Sequence, residues 1–163
     1  MRYQLLSLIL LIISATQIAH SQEAIFLIRH AEQVHDVENP PLTKEGLERA
    51  KAWVSIFRDA GIKMIYTSKK VRTKQTGEAI AQELNIPLET MSRRDVTGLV
   101  NHVRKVNADD VVLIIGHSKT IPRLVEVFAP FAEYPTIERD DYDSLFVIVP
   151  KGESDATVLR LRY

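Results

Sequence analysis

Two histidines in this chain each follow an uninterrupted apolar run, and an arginine precedes the first of them. Residues 24–28 lead directly into Arg29 and His30, and residues 111–115 lead into Gly116-His117-Ser118. An imidazole can act as a nucleophile or carry a proton, and a guanidinium binds oxyanions through paired hydrogen bonds. The residue types therefore indicate anion chemistry wherever these side chains meet.

A third cationic residue, Arg72, lies close to the start of a predicted helix. Thr76, Ile80 and Leu84 follow it at four-residue steps, which is helical spacing. Free backbone N–H groups and the helix dipole favour a bound anion at a helix amino end. Arg72 is therefore a further candidate for binding an anion.

The apolar runs indicate how these groups are positioned. Continuous apolar runs are typical of strands that are buried on both faces of a parallel sheet. In open α/β sheets, ligands bind beyond the carboxyl ends of the strands. Predicted strands and helices alternate along the chain, so we expect a three-layer α/β/α sandwich with a mostly parallel central sheet. Both histidines then lie at one edge of that sheet.

Caps, breakers and hydrophobic spacing define the other elements. The predicted helices begin after the N-cap Thr43, near Arg72, near Val96 and at the turn that contains Pro122. The first of these helices is expected to stop at Gly61. The further predicted strands span residues 63–68, 88–91, 145–149 and 156–161. The last one alternates apolar and polar residues, as an edge strand does.

Composition narrows the classes of partner. The chain has 163 residues, enough for one domain with a full core, and Lys plus Arg equals Asp plus Glu at 21 each. No overall field attracts nucleic acid or anionic lipid, so we expect no nucleic-acid partner. The absence of cysteine excludes disulfides and a thiol nucleophile.

The first residues have the layout of a secretory signal peptide. Met1-Arg2 is positively charged, Leu5 to Ile13 is almost entirely apolar, and Ala19-His20-Ser21 places small residues before a cleavage point at Gln22. We expect a signal peptide over 1–21, a single domain over 22–163, and a secreted or periplasmic protein. The apolar segment is too short to cross about 30 Å of hydrocarbon, so no stable membrane insertion is expected after cleavage.

Four candidate groups converge at the predicted edge: Arg29, His30, Arg72 and His117. Burying them together is costly unless an anion joins them. Phosphate fits best, because guanidinium groups match its oxygens in bidentate fashion. An imidazole facing phosphorus can form a phosphohistidine that water later hydrolyses, while the arginines hold the phosphoryl oxygens.

Four motifs resemble those of the histidine phosphatase superfamily, also called the phosphoglycerate mutase-like family. The motifs read Arg29-His30-Ala31-Glu32, Leu42-Thr43-Lys44-Glu45-Gly46, Thr67-Ser68 leading to Arg72-Thr73-Lys74-Gln75-Thr76, and Gly116-His117-Ser118. The resemblance spans about residues 24–128, which is most of the mature chain. The resemblance implies that His30 is the phosphorylated nucleophile and that Arg29, Arg72 and His117 complete the substrate-binding phosphate pocket. It also implies the phosphoglycerate mutase-like sandwich, with no metal and no organic cofactor.

The chain departs from that pattern in several places. Asp36 stands where the mutases usually carry an asparagine, which argues against a glycolytic mutase, and the short loop over 32–42 is most similar to the small phosphohistidine phosphatases. Lys70 and Lys119 add positive charge at the rim or lie in solvent.

No motif identifies the acid that protonates the leaving group. The alternatives are Glu89, Asp95, Asp109 and Asp110. Asp95 is preferred because it precedes a predicted helix start, where its other role is that of an N-cap. A weak acid favours phosphoramidates, anhydrides and aryl phosphates over alkyl esters, because their leaving groups need less protonation.

These observations predict an exported, metal-independent phosphatase. Its substrate is a phosphomonoester, phosphoramidate or anhydride, and its intermediate is phospho-His30. The alternative is a catalytically silent phosphate-binding module with the same fold. A metal hydrolase using His30, His35 and His117 is disfavoured, because their spacing is not compact. His35 and His102 are expected at the surface.

Overall fold

Strands and helices alternate from the first described residue to Phe128. The computed structural model describes residues 24–133, 135–152 and 155–163, and the predicted signal peptide lies outside them. The elements are β1 (Ala24–Arg29), α1 (Lys44–Phe57), β2 (Ile62–Ser68), α2 (Val71–Leu84), β3 (Leu88–Met91), α3 (Val96–Val106), β4 (Val111–Gly116), α4 (Ile121–Phe128), β5 (Ser144–Pro150) and β6 (Ala156–Arg162).

The strands form one mixed sheet in the order β3-β2-β4-β1-β5-β6. The pairs β3–β2, β2–β4 and β4–β1 are parallel, whereas β1–β5 and β5–β6 are antiparallel. The two apolar strands β1 and β4 are therefore adjacent near the middle, and β6 is an edge strand as predicted. Their polar ends lie side by side, since Arg29 pairs with Gly116 in the register.

Each face of the sheet carries its own apolar core. On one face, Trp53 and Phe57 of α1 and Ile80 of α2 pack against odd-numbered residues of β4. On the other face, residues of α3 and α4 pack against Val112 and Ile114 of β4. Because successive strand side chains point to opposite faces, two covered faces require apolar residues at every position. This accounts for the uninterrupted runs in β1 and β4 and confirms the three-layer sandwich.

The loop after β1 is held against the start of α1. The hydroxyl of Thr43, the predicted N-cap, accepts a hydrogen bond from Gly46 N at 3.0 Å, and Thr43 N donates to the carbonyl of Glu32 at 2.9 Å. A Cβ on Gly46 would lie 2.2 Å from that same carbonyl oxygen. Glycine is therefore required here so that the helix can approach the backbone that follows His30.

Most predicted boundaries agree with the structure to within a residue or two. The helix α1 ends at Phe57, four residues before the predicted stop at Gly61, and Gly61 instead provides the left-handed turn (φ 71°) that leads into β2. Pro122 lies in the first turn of α4, as expected. Within the described residues, no helix has the length and apolar content needed to cross a membrane.

Candidate functional site

The ends of β1 and β4 bring the two histidines into contact. His30 N donates a hydrogen bond to the carbonyl of Gly116 at 3.1 Å, which extends the pairing of the two strands by one residue. The imidazole rings of His30 and His117 lie edge to face, with centroids 5.3 Å apart. Both histidines are buried. At this separation one tetrahedral ion can contact both rings.

Arg72 connects the two imidazoles. It is the second residue of α2, and its Nε donates to His30 Nε2 at 3.0 Å while its Nη2 lies 3.2 Å from His117 Nδ1. The start of α2 is fixed by Thr76, whose hydroxyl donates to the Arg72 carbonyl at 2.8 Å and accepts from Ala31 N at 3.1 Å. This confirms the position of Arg72 at a helix amino end and places its guanidinium between the histidines.

The hydrogen bonds of His30 define its tautomer. Its Nδ1 lies 2.8 Å from the Ala31 carbonyl, which can only accept, so Nδ1 carries the proton. Nε2 therefore has a free lone pair, which faces Arg72. Burial lowers the pKa of His30 to about 3; the hydrogen bond to Ala31 opposes this shift, and the nearby charges of His117 and the two arginines reinforce it. At neutral pH this imidazole is uncharged and able to attack an electrophile.

His117 takes the opposite tautomer. Arg72 has no acceptor atom, so His117 Nδ1 accepts its hydrogen bond, and the Nε2–H donates to Ser68 Oγ at 3.0 Å. Ser68 Oγ also forms a hydrogen bond of 2.8 Å with Thr73 Oγ1. Burial lowers the pKa of His117 to about 3, and the positive charges of Arg72, Arg93, Arg29 and Lys70 lower it further.

Arg29 is anchored by a segment that the sequence did not point to. Its Nη1 donates to three backbone carbonyls of residues 138–141, at 2.8 to 3.2 Å. The guanidinium carbon lies 4.1 Å from the centroid of the Tyr142 ring, in cation–π geometry. Burial lowers the pKa of Arg29. Tyr142 lies within the acidic, proline-containing connection of residues 130–143, and no feature of that connection indicated a role in the site.

More positive charges act on the two histidines and Arg72 than the sequence suggested. Arg93 lines a cavity together with His117, and its charge acts on both His117 and Arg72. The charge of Lys70 acts on His117 as well, whereas Lys119 is exposed. Arg93 stands in the short segment after β3, and only its positive charge beside a predicted helix start could have marked it in the sequence.

The four candidate acids have distinct places. Asp95 is exposed and caps α3, accepting from Gly98 N at 2.8 Å. Glu89 lies 3.4 Å from His102 Nε2, and Asp110 accepts from Asn107 Nδ2 at 2.9 Å. Asp109 interacts with a neighbouring group as well. The N-cap role is therefore observed, and a role in proton transfer stays a prediction for Asp95.

The remaining histidines differ from one another. His35 is exposed, as predicted. His102 is partly exposed, and its ring packs edge to face on Tyr66 with centroids 5.8 Å apart. In the part of the chain that the structure describes, no group of three or more His, Cys, Asp or Glu residues is arranged to hold a metal ion.

The buried neutral histidines make folding stability depend on pH. Both have a folded pKa near 3, well below the 6.5 of an exposed histidine, so the unfolded chain binds more protons between those values. The midpoint of thermal unfolding should therefore fall as pH decreases from about 7 to 4, as calorimetry can measure. His30→Asn removes one titrating group and should flatten this dependence. An equally steep profile in that variant would contradict the assignment.

Comparison with known proteins identifies a family model that matches part of the chain. Residues 25–95 match the model of the histidine phosphatase superfamily (branch 1), a region that includes Arg29, His30, Arg72 and Asp95. A search of curated protein sequences finds no significant relative.

Solved structures with the same fold include phosphatases. The protein histidine phosphatase SixA, complexed with tungstate, aligns with a TM-score of 0.74 at 19% identity, covering 85% of this chain and 96% of that one. A mycobacterial glucosyl-3-phosphoglycerate phosphatase aligns with a TM-score of 0.70 at 10% identity, covering 86% and 98%. Identities this low establish a shared fold, and they confirm the phosphoglycerate mutase-like architecture.

Proposed function

Because residues 25–95 match the model of the histidine phosphatase superfamily, we propose that this chain is an exported phosphatase that works through a phosphohistidine on His30. The enzyme class, a phosphatase, follows from the family. The observation that carries the mechanism is the lone pair of His30 Nε2, which accepts a hydrogen bond from Arg72 beside the ring of His117. The charge of Arg29 also acts on His30. The partner is a small phosphorylated substrate or phosphate.

The geometry supports a two-step displacement. In the first step His30 Nε2 attacks phosphorus, an N–P bond forms, and the bond from phosphorus to the leaving atom breaks. The leaving atom keeps the bonding electron pair and takes up a proton. In the second step water attacks phosphorus and the N–P bond breaks. Its electron pair returns to His30 Nε2, both water protons leave with the phosphate, and His30 is neutral again. In this structure Arg72 Nε donates a hydrogen bond to His30 Nε2. In the first step that hydrogen bond must shift to a phosphoryl oxygen.

We propose that the preferred substrates have good leaving groups: phosphoramidates, anhydrides and aryl phosphates. Among the described residues, the ionisable groups that shift the pKa of His30 most are His117, Arg72 and Arg29, and none of these three is a carboxylic acid. Such a site stabilises a phosphoryl group better than it protonates an alkoxide. The likeness to SixA, a protein histidine phosphatase, is compatible with a phosphoramidate substrate.

Asp95 remains the proposed proton donor. It lies two residues after Arg93, which shares a cavity with His117. Asp95→Asn keeps an N-cap side chain and removes the proton, so α3 should stay intact. We expect hydrolysis of an alkyl phosphate to fall at least about tenfold, and hydrolysis of p-nitrophenyl phosphate, whose leaving group needs little protonation, to change less than about twofold. An equal relative change in rate for both substrates would leave Asp95 with the role of a helix cap alone.

The proposal is tested by incubating the mature protein with p-nitrophenyl phosphate. We expect turnover, together with a phosphoryl group on the protein that is labile to acid and stable to base. Phosphate binding without either result would favour the silent phosphate-binding module. Turnover should survive a strong chelator, and its loss on chelation would favour the metal hydrolase. Sequencing the amino terminus of exported protein would test cleavage before Gln22.

A further inference from the structure

Arg29 is held on two sides by the segment that precedes β5. Three carbonyls, those of Glu138, Arg139 and Asp141, accept hydrogen bonds from its Nη1. The Tyr142 ring covers one face of the guanidinium at 4.1 Å. The carbonyls fix the position of one nitrogen, and the ring fixes the orientation of the guanidinium plane.

The donors that remain lie along one edge of Arg29. Its Nε is buried and has no hydrogen-bond partner, and its Nη2 has only a long contact of 3.4 Å to the Tyr142 hydroxyl. The Nε–H and Nη2–H bonds of a guanidinium are nearly parallel and match two oxygens of a phosphoryl group. The Nε–Nη2 edge of Arg29 is therefore available to bind two oxygens, while Nη1 anchors the side chain.

The segment that carries Tyr142 is itself fixed to the sheet. The Asp141 carboxylate is buried and pairs with Arg160 and, at 3.7 Å, with Arg162, both on β6. The Tyr142 ring is also close to the nucleophile, with its centroid 6.2 Å from that of His30. The ring thus lies against Arg29 and near His30, on a segment that ion pairs connect to β6.

We propose that Tyr142 is a positioning residue for Arg29. Its ring holds the guanidinium plane so that the Nε–Nη2 edge faces the phosphoryl group on His30. Tyr142 acts through Arg29, and this inference rests on the proposed function. The contribution comes from the aromatic face, so it depends on the ring more than on the hydroxyl.

The test is a double-mutant cycle with p-nitrophenyl phosphate and inorganic phosphate. Tyr142→Phe keeps the ring, so kcat/KM should stay within about threefold of the wild type. Tyr142→Leu removes it, and we expect kcat/KM and the affinity for inorganic phosphate to fall about tenfold. In an Arg29→Ala background the same substitution should change either quantity less than about twofold. Tyr163→Leu is a matched control and should change neither quantity, because the centroid of the Tyr163 ring lies 5.2 Å from that of Trp53.

Two results would overturn the positioning role. One is an equal loss from Tyr142→Leu with and without Arg29, and the other is a loss in Tyr142→Phe as large as in Tyr142→Leu. If Tyr142→Leu does not fold, as judged by its thermal transition, Tyr142→Met replaces it in the cycle. If the wild type shows no turnover, the proposed phosphatase fails, and calorimetric titration with inorganic phosphate still decides the role of Tyr142.

Discussion

Replacing His30 by alanine should lower turnover of p-nitrophenyl phosphate by about a thousandfold or more and eliminate the phosphoenzyme. The reason is that His30 Nε2 carries the lone pair that faces the pocket, while the Nε2 of His117 carries a proton bonded to Ser68. A reaction that proceeds through a covalent intermediate loses nearly all of its acceleration with its nucleophile. Rapid quenching and detection of acid-labile phosphate on the protein would measure both effects.

The control for this prediction is His35→Ala. His35 is the other histidine that follows β1, and it is exposed on the loop. Its replacement should leave turnover and phosphoenzyme formation unchanged. Binding of inorganic phosphate should persist in His30→Ala, because both arginines are still present. Substantial turnover by His30→Ala would assign the nucleophile to another residue and refute the mechanism.

Replacing Arg72 by alanine should reduce kcat by about two to three orders of magnitude, as expected for the loss of a donor that stabilises transition-state charge. Arg72 donates hydrogen bonds to both imidazoles in this structure. Its guanidinium therefore lies where a phosphoryl group on His30 would be. Arg72→Lys should recover only part of the rate, because an ammonium cannot donate along two parallel bonds. Steady-state kinetics of the three proteins measure the effect.

The same substitution should not destabilise the fold. Burial lowers the pKa of Arg72, and the like charges of Arg93 and Arg29 lower it further. Removing this charge relieves repulsion, so the midpoint of thermal unfolding should be unchanged or higher, as is common for functional charges. Arg94→Ala is the control, because Arg94 is exposed one residue beyond Arg93. A large loss of stability in Arg72→Ala with normal activity would mean that Arg72 serves the fold alone.

The sequence alone predicted the architecture and the meeting of the two histidines with Arg72. Strands covered on both faces must be apolar at every position, so the runs before Arg29-His30 and Gly116-His117 identified the central strands. Parallel strands end at the same edge, so the two histidines had to be near each other. The helix spacing after Arg72 placed that residue at the helix end beside them.

Tertiary structure decided what surrounds this core. Arg29 is more than 100 residues away along the chain from Tyr142 and from the carbonyls that anchor it. Nothing in the sequence of the acidic loop indicates a cation–π contact. The two histidine tautomers likewise depend on which groups the folded chain places against each nitrogen. The local pattern of apolar and polar residues indicates burial and element type. Which side chains pair in the folded chain depends on how distant segments pack, and no short stretch of the sequence shows it.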